Sequence, residues 1–113
     1  MSLFRWHYAH EKLSFALGSM ASSSEPFSKR LANAYVAYLA ILQERDFPRE
    51  LWARFSQVRE AMTVHPARWE GEGGAHASMA ALHPIKVRKL IETLSSIEFS
   101  LVHIYDERSA GAK

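Results

Sequence analysis

His7, His10 and Glu11 stand at positions i, i+3 and i+4, a spacing that can gather three metal ligands on one side of a helix. At 100° per residue, however, they fan out: His10 borders the direction of Trp6, Leu13 and Leu17, while Glu11 points to the far side of His7. Nothing marks a fourth ligand, so no metal site is expected. With no cysteine in the chain, thiolate zinc sites, iron–sulfur clusters, disulfides and cysteine nucleophiles are excluded together. Glu98 raises a different question, because the helical wheel sets it inside an apolar stripe, between the directions of Ile91 and Tyr105. A buried carboxylate there must pair with a Tyr, His or Arg from a neighbouring helix or mark a polar pocket with a raised pKa. Pairing is the expectation.

Phosphate chemistry has two sets of candidates. Lys29 and Arg30 open one helical segment, and Lys86, Arg88 and Lys89 open another, where free N–H groups would also meet an anion. No aromatic residue interleaves with either cluster as a stacking platform would require, and cations at a helix N-terminus are otherwise mildly unfavourable. Two Arg–His pairs, Arg5 with His10 and Arg59 with His65, resemble the arginine and histidine, four to six residues apart, of HEPN-type helical ribonucleases. That resemblance implies His65 as general base on a ribose hydroxyl and Arg59 as stabiliser of phosphate charge. Given the arginines and the 6 histidines of this chain, chance alone supplies roughly one to two such pairs, so the motif is unspecific. The run from Glu70 to Gly74 has neither the preceding strand nor the following Lys-Ser or Lys-Thr of a phosphate loop. No serine sits in a nucleophile-elbow sequence. Neither catalytic activity nor a cofactor is indicated.

The elements that must position these residues follow from composition and punctuation. The chain has 113 residues, 48% hydrophobic and 23% charged, which suits one globular domain over 1–113. Its 14 basic against 12 acidic residues give a net charge of only +2, weak support for a nucleic-acid partner. No apolar run reaches the length of a membrane span, and a cytoplasmic location is expected. Leu13 to Ala21 loosely resembles the end of a signal peptide, but Glu11 and the interruptions at Ser14, Gly18 and Ser19 favour an amphipathic first helix.

Ser24-Glu25-Pro26 and Asp46-Phe47-Pro48 each predict a cap followed by a proline in the first turn, and His83-Pro84 predicts the start of the last helix. His65 to Gly74 reads as a flexible crossover. Val87, Leu90, Ile91, Leu94, Ile97, Leu101, Ile104 and Tyr105 recur at helical spacing, with Arg88, Lys89, Glu92, Ser96 and Glu107 opposite; Leu51, Phe55, Val58 and Met62 form a narrower stripe. A short piece near 75–82 precedes the terminal helix. Period-two alternation is absent. The expected fold is all-α, an antiparallel bundle of four main helices with one short extra helix.

Two segments carry more apolar surface than such a bundle needs. Phe4, Tyr8 and Phe15 line up opposite Trp6, Leu13, Leu17 and Met20, giving the first helix two apolar faces. In the second, Leu31 to Leu42 is apolar almost all round and should be buried on more than one side, with Asn33, Val36, Ala37 and Ala40 forming a small-residue face behind Leu31, Tyr35, Tyr38 and Leu42. These faces predict a small interaction or adaptor protein that pairs with itself, as a homodimer, or with another protein. The alternative is a nucleic-acid-directed bundle, a binding module or a ribonuclease using Arg59 and His65.

Overall fold

The computed structural model describes residues 6–111, with side chains through 103, so Phe4, Arg5 and the side chains of Ile104, Tyr105 and Glu107 lie outside the described residues. Within them the chain is helical with no strand: α1 (His7–Ser22), α2 (Phe27–Ala34), α3 (Arg49–Ala61), α4 (Gly74–Ala80) and α5 (Pro84–Gly111). A π-helical turn, Tyr35–Leu39, prolongs α2, and a 3-10 turn, Glu44–Asp46, leads into α3. None of the helices is long and apolar enough to cross a membrane, among the described residues.

Prolines set the helix starts, two residues beyond where the cap pattern predicts two of them. Pro26 and Pro48 are themselves the capping residues of α2 and α3, in extended backbone. Their carbonyls accept the first helical bonds, from Arg30 at 2.9 Å and from Trp52 at 2.9 Å. A proline there gives up no N–H that the helix needs. Ser24 and Asp46 therefore do not cap these helices: Asp46 instead accepts from the Gln43 N–H at 2.7 Å and closes the 3-10 turn. Phe47 stands just before Pro48 and packs on Trp52 of the first turn, ring centroids 5.8 Å apart, a hydrophobic staple that fixes the entry of α3. At α5 the expected start holds, with Pro84 in the first turn and the His83 ring accepting the Ile85 N–H at 3.1 Å through Nδ1.

One hydrophobic cluster joins the helices. From α1 it takes Ala9, Leu13, Ala16 and Met20 with the preceding Trp6; Leu17 is only half-buried, so the core face is rotated towards the two alanines, whose small side chains admit close neighbours. From α3 come Leu51, Phe55 and Val58, with Met62 at its end. From α5 come Val87, Leu94, Ile97 and Leu101, so the terminal helix packs on α1, α2 and α3, while α4 packs on α2.

The second segment departs from expectation. Leu31, Ala32, Ala34, Tyr35, Leu39 and Leu42 are buried, but Asn33, Val36, Ala37, Ala40 and Ile41 face solvent, so the segment is buried on one side only. Its apolar character all round reflects an exposed apolar face, not double burial. The crossover makes defined contacts with α4. Gly71 and Gly73 take positive φ, 90° and 85°, which costs glycine little. Buried Ser78 of α4 holds the loop, accepting the His65 N–H at 2.9 Å and donating to the His65 carbonyl at 3.3 Å.

Candidate functional site

Tyr8 and Phe15 stand one heptad apart on the outer side of α1, both solvent-exposed, Phe15 at 51%. Phe15 meets Tyr38 of the π-helical turn with ring centroids 5.9 Å apart, which connects the α1 stripe to the second segment. Beyond Tyr38, Val36, Ala37, Ala40 and Ile41 are exposed, Ile41 at 61%. Lys12 hangs over the Tyr8 ring at 5.5 Å and supplies a charged edge. Asn33, grouped by sequence with the small-residue face, has an internal contact instead: its Oδ1 meets Nε2 of His76 at 2.6 Å and ties α2 to α4.

Arg59 and His65 make separate contacts. The Arg59 guanidinium donates to the Leu42 carbonyl at 2.7 Å, closing the frayed end of the second segment, while His65 is exposed and held through its backbone by Ser78. No hydrogen bond or ion pair joins the two residues. The charge of Arg59 also acts on Tyr35, whose phenol pKa is raised by burial, with Arg59 opposing the rise.

Glu98 of α5 reaches α1. Its Oε2 lies 2.7 Å from Nε2 of His10 and accepts from Ser14 Oγ at 3.4 Å. With side-chain exposures of 26% for Glu98 and 23% for His10, the pair is partly buried, so Glu98 is not fully enclosed as its wheel position implies. His7 instead sits 3.8 Å from Glu11 on the exposed side. Among the described residues no three His, Asp or Glu side chains gather as a metal would require.

The basic residues separate into two places. Lys86 and Lys89 line a groove with Ala61, Leu82 and Leu90. Arg88 turns the other way and lies 6.0 Å from the Phe27 ring centroid, while Arg30 covers the same ring at 4.8 Å. Phe27, on the first turn of α2, thus draws one arginine from each cluster. On the other side of that turn, Ser28 and Lys29 border a groove of about 440 Å³ whose remaining lining includes Arg68, Trp69, Glu72 and His76. Arg68 stacks over the Trp69 ring at 4.6 Å and forks onto the Glu72 carboxylate. Glu72 also accepts the Arg68 N–H at 2.8 Å, and these bonds hold its carboxyl below the ordinary carboxylate range.

Phe27, Trp69, Glu72 and His76 are absent from the sequence-level candidates. The adjacent Arg68 and Trp69, with Glu72 four residues after the arginine, were the available signal, but inside a segment read as a linker. Phe99 also lies outside those candidates: it is exposed and stacks on His103 at 5.8 Å beside Glu50 and Arg54. No protein-family model matches this chain, and neither a curated protein nor a solved structure matches it.

Proposed function

We propose that this chain is a small interaction or adaptor protein, an antiparallel helical bundle that pairs with a second copy of itself through the outer faces of α1 and the second segment. The supporting observation is the exposure of Tyr8, Phe15, Val36 and Ile41 on adjoining elements, linked by the Phe15–Tyr38 contact. Apolar groups left in water along two packed helices favour being covered, and a two-fold axis lets one patch cover its copy. Tyr8 and Phe15 serve as anchors, since buried aromatics dominate interface energetics. Asn33, occupied by His76, contributes through α4 and not directly. A cytoplasmic location goes with this reading.

Sedimentation velocity on Tyr8→Ser/Phe15→Lys tests it. Both residues face away from Leu13, Ala16 and Met20, so the double variant is expected to keep the native far-UV spectrum and sediment as a monomer. A variant that stays a dimer would move the interface elsewhere, with the exposed Phe99 the next surface to alter.

A further inference from the structure

We propose that the surface around the first turn of α2 binds short single-stranded nucleic acid, stacking a base on the face of Trp69 away from Arg68, holding the adjoining phosphate with Lys29, and leading the strand around the turn to Arg30 and Arg88 beside Phe27. Sequence spacing leaves the basic clusters without an aromatic platform; the fold supplies two. Trp69 comes from the crossover into the groove beside Lys29, and Phe27 draws Arg30 together with Arg88 from α5. Exposed rings interleaved with cations are what sequence-tolerant single-strand binding requires, because every base offers a π-face and every nucleotide a phosphate.

The platform is held before any ligand arrives. Trp69 is 59% exposed although it sits in a loop fixed by the Arg68 fork on Glu72 and by the bonds of Ser78 to His65. Such fixation lowers the ordering cost of binding. The charge balance also favours an anion. Glu72 is engaged by Arg68, and Glu25 meets Lys29 only at 3.8 Å in an exposed pair, a weak competitor for a phosphate. Arg30 donates to the Glu25 backbone carbonyl, a contact that leaves its charge unneutralised. A duplex would present phosphates but hide its base faces, so the groove selects the unpaired strand. This inference is independent of self-association.

Fluorescence anisotropy of a labelled twelve-nucleotide uridine strand tests it, with an unlabelled duplex of equal length and uridine monophosphate as competitors. Binding is expected at low salt and should weaken steeply as salt rises. Trp69→Ala and Trp69→Leu should each lose roughly tenfold in affinity, whereas Trp69→Phe, which keeps a ring, should stay within about threefold. Lys29→Glu/Arg88→Glu should weaken binding and flatten the salt dependence. All these positions are exposed, and circular dichroism checks each variant. Absence of binding at low salt, equal competition by the duplex, or no change on losing the Trp69 ring would each overturn the proposal. Competition by the monophosphate as strong as by the strand would also overturn it and leave a mononucleotide pocket in its stead.

Discussion

Tyr35 is a buried phenol whose ionisation the folded chain opposes. Burial raises its phenol pKa above the ordinary 10.0, and the Arg59 charge only partly offsets this. The unfolded chain therefore releases the proton first, and the stability that neutral Tyr35 contributes is complete below about pH 10 and lost as pH rises through the folded-state value. Tyr35→Phe should accordingly show a smaller fall in thermal midpoint between pH 8 and pH 11 than the native chain; equal falls would count against it. Glu98 illustrates what one helix can reveal. A carboxylate within an apolar stripe announces a need for a partner, but His10 as that partner follows from the rotation of α1 against α5, which no single helix encodes. Arg59 is the converse case. Its sequence neighbours suggest phosphate chemistry, whereas its hydrogen bond goes to a carbonyl 17 residues away.

At the scale of elements, periodicity and punctuation made the helices legible and left their ends and roles to local geometry. The α3 stripe of Leu51, Phe55, Val58 and Met62 and the α5 positions Val87, Leu94, Ile97 and Leu101 are buried where their spacing sets them. The caps shifted because a proline, already extended and lacking an N–H, serves as the capping residue itself. The π-helical turn had no sequence signal: Ala40 N–H bonds Tyr35 five residues back, at 2.9 Å, and the widened turn passes directly to the carbonyl that Arg59 caps. Arg59→Ala should therefore lower stability by about 1–2 kcal/mol, since it removes a charged donor from a partly buried acceptor. Denaturant titration measures this, and a change near zero would show that water replaces the guanidinium without loss. Leu94→Ala or Leu101→Ala should each cost about 2–5 kcal/mol, because both side chains are fully enclosed and their loss leaves a cavity. A loss below about 0.5 kcal/mol would mean that the α5 core face is misassigned.

For the whole molecule, composition announced only a globular chain; the second apolar face of α1 is exposed at Tyr8 and Phe15, whereas the second segment, expected to be buried on more than one side, is buried on one. The crossover was harder to read. Gly71, Gly73 and Pro66 suggest only a linker, yet the Arg68–Glu72 fork and the buried hydroxyl of Ser78 turn it into a wall of the groove beside α2. The pairing of Ser78 with His65 joins residues 13 apart that no helical period relates. The outer face of α1 and the second segment belongs to the same scale, because its exposure depends on what the remaining helices leave uncovered. Static light scattering of the native chain across micromolar to high-micromolar concentration tests the central claim most directly. The account predicts a mass rising to twice the 12.8 kDa of one chain. A mass that stays at that of a single chain throughout the range would contradict it.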